Sequence, residues 1–208
     1  QKRGMQRYAS SREAVRIFAG RTLLGRPGDE YSYSSWGYTL IGAAIEAASG
    51  RHFVDYVVTE VTPGLSIGAD FTDGPDLDAS VAYEFAENAI RRADNHDFSY
   101  TWAGGGLGAT PSAIAEFGGR VLAGQIVSAR NRDAMFEPMM TNDGEPVSEG
   151  DYEVGLGWRL ANDRDGARMA FHNGVTVGAR SALVLFRDEA TIASLLSNAL
   201  WTSSIDQS

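Results

Sequence analysis

The hydrophobic pattern changes near Val154, and that change limits the fold more than any other feature of the chain. Before it, apolar residues recur at helical spacing. After it come four short strand-like runs, Gly155–Leu160, Arg168–His172, Arg180–Phe186 and Ala190–Ser197, separated by Asp, Gly and Asn turns. Arg187-Asp188-Glu189 is short enough to join the last two as a hairpin. Helices first and an antiparallel meander last predict an α+β fold. The helical part covers about 11–150 and the strand part about 154–200, within one domain over 1–208.

Ser11–Leu24 carries Ala14, Val15, Ile17, Phe18, Leu23 and Leu24, which predicts a short amphipathic helix. Arg26-Pro27-Gly28-Asp29 is a turn. Leu40, Ile41, Ala44, Ile45 and Ala48 predict a helix over Trp36–Ser49, capped by Ser34 or Ser35 and closed by Gly50. His52–Val61 fits helix or strand equally. Thr62–Asp78 is rich in Gly, Pro and Asp and predicts a loop, and Val81–Arg92 is strand-like. Thr110-Pro111 opens a helix with apolar face Ile114, Phe117, Val121 and Leu122, ended by Gly124. Ser128–Met135 predicts one more.

Composition removes several functions. The chain has 208 residues, 43% of them hydrophobic, enough for a real core. Its net charge of −9 argues against nucleic acid or an anionic membrane as partner, since phosphate affinity needs clustered Lys and Arg. No apolar run approaches the roughly 20 residues of a spanning helix. With no cysteine, disulfides, thiolate zinc sites and a cysteine nucleophile are excluded. Lys2 is the only lysine among 18 basic residues. The chain opens on Gln1 with no signal peptide, so the expectation is that the true N-terminus lies upstream.

Five features carry candidate chemistry. Gly64-Leu65-Ser66-Ile67-Gly68 spells the G-x-S-x-G of a nucleophile elbow, but Pro63 precedes it and no helical pattern follows, so its flanks favour a turn. Asp94, His96 and Asp97, with His52 elsewhere, fit no metal-ligand spacing; no metal and no cofactor is expected. Gly104-Gly105-Gly106 has no following Lys to make a phosphate cradle. It reads as a turn where side chains would obstruct close backbone packing. In His172-Asn173-Gly174, Asn-Gly is a hairpin signal, while His172 could be a donor at the lip of a strand. Tyr33-Ser34-Ser35 is either a helix cap behind a packed aromatic or a phenol at a helix N-terminus. There the dipole favours an anion and Tyr can act as general base.

Taken in order, the last three features resemble a known family. Pro27-Gly28, Tyr33-Ser34-Ser35-Trp36-Gly37-Tyr38, Leu40-Ile41-Gly42 and Ala48-Ser49-Gly50 look like the second motif region of serine β-lactamase-like and penicillin-binding proteins. That group holds class C β-lactamases, D-alanyl-D-alanine carboxypeptidases and related esterases. Trp102–Leu107 followed by Thr110 resembles its glycine turn, and His172-Asn173-Gly174 with Val177-Gly178 its third motif, Lys/His-Thr-Gly. A leading His is the habit of the mitochondrial branch. The likeness runs from about Ser11 to Asn198. It implies a β-lactamase/transpeptidase-like fold, here the helical region plus the C-terminal strands of the sheet.

The resemblance also implies roles. Tyr33 matches the tyrosine that shuttles protons during acylation, and His172 the residue that sets the field on Tyr33 and on a substrate carboxylate. Ser35 stands where the family has a substrate-binding Asn, and Asn173 where it has Thr. Gly174 lets substrate lie along the strand, and the Val175 N–H would give half of an oxyanion hole. The family's nucleophile sits in Ser-x-x-Lys, which this sequence does not contain. The N-terminal strands of the family sheet are also not recognisable. The expectation is therefore the C-terminal part of a serine acyl-transfer hydrolase, inactive and marginally stable alone. A non-catalytic penicillin-recognising sensor or scaffold is the alternative. The implied ligand is a small-molecule or peptide substrate, with peptide or ester favoured over β-lactam because of Ser35 and His172. If a charged His172 binds a carboxylate, activity should fall above about pH 6.5. Oligomeric state and compartment carry no sequence signal beyond the family's frequent export.

Overall fold

The computed structural model describes residues 6–69, 80–94 and 96–201. Three helices come first: α1 (Ser11–Val15), α2 (Ser35–Ser49) and α3 (Phe53–Tyr56), the last running on into one wide turn, Val57–Val61. Then come β1 (Ile67–Ala69), the hairpin β2 (Tyr83–Ala86) and β3 (Ala89–Arg92), α4 (Trp102–Gly105), β4 (Leu107–Ala109), α5 (Pro111–Leu122) and α6 (Ala129–Met135). The chain closes with β5 (Ser148–Glu149), β6 (Tyr152–Val154), β7 (Arg159–Asn162), β8 (Arg168–Thr176), β9 (Ala179–Phe186) and β10 (Thr191–Ser197). These last six form one antiparallel meander in the order β10-β9-β8-β7-β6-β5.

α2 forms where its caps say it should. The Ser34 hydroxyl accepts the Gly37 N–H, and Gly50, at φ +69°, donates back to the Glu46 carbonyl in the left-handed stop that glycine takes without strain. Glu46 is buried on this helix. Its carboxylate accepts the N–H groups of Ser11 at 3.0 Å, Arg12 at 3.1 Å and Phe53 at 3.2 Å. One side chain thus satisfies orphan donors at the starts of both α1 and α3. Phe53, Val54 and Trp102 make a small core beside it, with Ile45 and Leu107 packed against them.

The larger core lies between the sheet and α5. Leu185 and Ala170 pair across β9 and β8, both fully buried, and pack with Val121, Phe136, Trp158 and Leu160. Thr110 caps α5 through the Ala113 N–H, and Pro111 fills the first turn, where its missing N–H costs nothing. A Cβ on Gly118 would sit 3.2 Å from Ile192 and 3.3 Å from Leu183, so that glycine sets how closely α5 approaches the strands.

Three local expectations are corrected. The first helix stops at Val15, leaving Leu23 and Leu24 exposed. Beyond Phe18 the inward positions fall to Arg21 and Thr22, so no apolar face continues. Of the expected strand Gly155–Leu160, residues 155–158 form the reversal between β6 and β7, and only Arg159 and Leu160 are strand, as the start of β7. Asn173-Gly174 makes no hairpin. Both residues lie within β8, paired with Ala182 and Ser181, and the chain turns at Val177-Gly178 instead. A full ladder to β9 outweighs the local turn preference. The Thr62–Asp78 loop contains the short strand β1 as far as it is described; residues 70–79, and Asn95 of the polar turn, lie outside the described residues.

Candidate active site

The first wall of the site is the segment leading into α2. Residues 19–33 are exposed, and Tyr33 ends that stretch one residue before the Ser34 cap. The second wall is β8. Alternation puts His172 on the same face as buried Ala170, opposite Leu183 of β9. The fold brings the two walls together, with the Tyr33 and His172 ring centroids 6.5 Å apart. Both line a cleft of about 380 Å³. Tyr31, Tyr38, Met139, Met140 and Leu156 give that cleft an aromatic and aliphatic surface.

Two charged residues of this cleft escaped the sequence reading. Arg159, on β7, lies with its guanidinium carbon 5.6 Å from the Tyr33 ring centroid. Glu149, on β5, accepts from Arg159 Nε at 3.0 Å and from Nη2 at 3.1 Å in a two-toothed pair. The Arg159 side chain is only 17% exposed. Nothing in the local sequence marks either residue; strand neighbours β5, β6 and β7 must align before they meet.

The electrostatics of the cleft follow from burial and this pair. Burial, then the Arg159 charge, pushes His172 below its ordinary 6.5, so the imidazole is neutral at neutral pH. Tyr31 is pushed up by burial and then by Glu149, and Tyr38 by burial and then by Tyr33. Both phenols therefore stay protonated as donors. The site's permanent cation is Arg159, and any loss of activity as His172 discharges would set in at lower pH than the ordinary imidazole value of 6.5.

The remaining candidates divide by position. Ser34 caps α2 and lines the cleft, while Ser35 is the exposed first residue of the helix. The turn expected at Gly104–Gly106 is instead the end of the short helix α4, and a Cβ on Gly104 would fall 2.9 Å from the Ser35 carbonyl, so this glycine lets α4 pack against the head of α2. Asn173, Gly174 and Val175 continue β8 past His172. β7 pairs only as far as Phe171, so among the described residues His172–Thr176 has a strand neighbour on one side alone. The Ser181 hydroxyl occupies the space a Cβ would need at Gly174. Asn173 Oδ1 is buried with no hydrogen-bond partner among the described residues.

Ser66 sits in a bend after a helical turn and before β1, the reverse of the strand–serine–helix order of an elbow. Asp97 accepts the Ser99 N–H at 2.8 Å, and His96 Nε2 lies 3.3 Å from the Tyr100 hydroxyl. Neither approaches the cleft's lining. No described helix is long and apolar enough to cross a membrane.

Helices packed on an antiparallel sheet in this order are the layout of the β-lactamase/transpeptidase-like class. The chain belongs to the Beta-lactamase family, whose model matches residues 2–204. It is 28% identical to the mouse protein named serine beta-lactamase-like protein LACTB, mitochondrial, over 88% of this chain and 38% of that protein. It is 23% identical to penicillin-binding protein 4* of Bacillus subtilis, over 92% of this chain and 45% of that one. Its fold is similar to a penicillin-binding protein structure from Bacillus halodurans, with TM-score 0.80 and 16% identity over 98% of this chain and 62% of that chain. A D-amino acid amidase structure from Ochrobactrum anthropi gives 0.76 and 18% over 93% and 58%. The chain thus spans less than half the length of these two named relatives.

Proposed function

We propose that this chain supplies the Tyr33–His172 side of a serine acyl-transfer hydrolase site, with the Ser-x-x-Lys nucleophile outside its 208 residues. The observation that carries the reading is the meeting of Tyr33 and His172, distant in sequence, at one cleft. In this reading the serine oxygen bonds to an amide or ester carbonyl carbon. Tyr33 passes the serine proton to the leaving nitrogen or oxygen as the old bond breaks, and water then releases the acid. Neutral His172, its ring centroid 6.5 Å from that of Tyr33, shapes the field in which the phenol gives and takes the proton. The one-sided stretch of β8, His172–Thr176, takes an extended substrate along its backbone, with the Val175 N–H toward the oxyanion. Ser35, at the head of α2, takes the place of the family's amide. The aromatic and aliphatic cleft suits an apolar acyl group, and peptides or esters are favoured over β-lactams.

The test is labelling with a fluorophosphonate and a fluorescent penicillin. The 208-residue chain should stay unlabelled, while a version extended upstream to the next start codon should label. Labelling of the chain itself would place the nucleophile within it, Ser66 first, and sink the assignment. In the extended protein, hydrolysis of an ester should not fall as the pH rises from about 7 to 8, because burial and Arg159 move the discharge of His172 to lower pH. A fall across that range means His172 works as a cation.

A further inference from the structure

The Tyr33 wall is far less secured than the β8 wall. Every hydrogen bond that leaves residues 22–33 for another part of the described chain ends on one residue, Asn142. Its Nδ2 donates to the Pro27 carbonyl at 2.9 Å and to Asp29 Oδ1 at 2.8 Å, and its backbone N–H to the Gly28 carbonyl at 2.7 Å. Asn142 stands on a tight turn, with Thr141 N–H donating to the Glu145 carbonyl at 2.9 Å. Met139 and Met140, just before it, line the same cleft as Tyr33. The fit is close from the other side as well. Gly28 is at φ +88°, and a Cβ there would fall 2.5 Å from Asn142 Oδ1.

We propose that Asn142 is a positioning residue, whose hold on Pro27–Asp29 keeps Tyr33 folded over His172 in the cleft. This rests on the reading of Tyr33 and His172 as a working pair. The titratable groups lining the cleft with that pair are Arg159 and Glu149 from the sheet, and Glu30, Tyr31 and Tyr38 from the α2 side. None of them touches Asn142 by hydrogen bond, so removing the Asn142 side chain leaves the charges of the cleft unchanged and alters only its closure.

The test is an NMR titration of the three histidines, His52, His96 and His172, in the 208-residue chain. In Asn142→Ala, the His172 midpoint should move up toward that of a free imidazole, because burial is the main cause holding it down. His52 and His96 should stay where they were. The backbone amide of position 142 should exchange about tenfold faster with solvent. Gly28→Ala attacks the same contact from the opposite side and should give the same signature. Asn142→Asp should give the same signature, because a carboxylate cannot donate to the Pro27 carbonyl or to Asp29. An unmoved His172 or a common shift of all three histidines would each overturn the proposal. The titration needs no turnover, so it stands or falls separately from the labelling experiment.

Discussion

The two halves of the molecule are held by different chemistry. The sheet half closes on Leu185 and Ala170, both fully buried, with α5 drawn in close at Gly118. Among the described residues the helical half has the small Phe53–Val54–Trp102 cluster and a buried carboxylate, Glu46, that ties three helices. It also turns apolar side chains outward: Leu40 and Ile41 of α2 are about half exposed. The cleft lies at the boundary, so His172 is seated by apolar packing and a strand ladder, Tyr33 by caps and hydrogen bonds. The teaching is that one side of the site is fixed by burial and the other by polar geometry, which water competes for.

Substitutions can sharpen or break that contrast. Leu185→Ala removes the centre of the sheet core and should cost about 2–5 kcal/mol in urea unfolding. A loss below about 1 kcal/mol would mean that the sheet half is not organised around this residue. Glu46→Ala should cost about 2 kcal/mol by stranding buried N–H groups. Its mark is local: the amides of Ser11, Arg12 and Phe53 exchange faster while that of Leu185 does not. Equal acceleration in both halves would erase the distinction drawn here. A smaller effect is pH-dependent. The folded pKa of His172 lies below its unfolded value of about 6.5, so the unfolded chain binds the proton first. Stability should therefore hold above about pH 6.5 and fall as acid is added through the window below it. His172→Gln should flatten that part of the curve; an unchanged slope would mean the imidazole is not desolvated. The smallest change is expected from Leu40→Ser, within about 0.5 kcal/mol, since that side chain faces outward. A larger cost would show that α2 is covered.

Much of this was legible locally. Ser34, Gly50, Thr110 and Pro111 announce the bounds of α2 and α5 because caps are short-range chemistry. The order of the tyrosine, glycine and histidine motifs pointed to the family before any geometry. What was not legible depends on distant partners. Asn173-Gly174 looks like a turn until β9 pairs with it. Arg159 and Glu149 look like any strand charges until β5 and β7 are neighbours of β6. Glu46 sits among Ala and Ile on α2 with no sequence sign that two other helix starts will find it.

The extended course of β8 through Asn173 and Gly174 also bears on how the protein ages. An Asn followed by Gly ordinarily loses its amide when the next backbone nitrogen attacks the side-chain carbonyl and closes a five-membered imide. That ring needs a bent backbone. Here Asn173 faces Ala182 and Gly174 faces Ser181 in a continuous ladder, so the nitrogen is held away from the carbonyl it would attack. The spontaneous chemistry of this one dipeptide is thereby suspended while the strand is intact, and it resumes in any molecule whose sheet has opened.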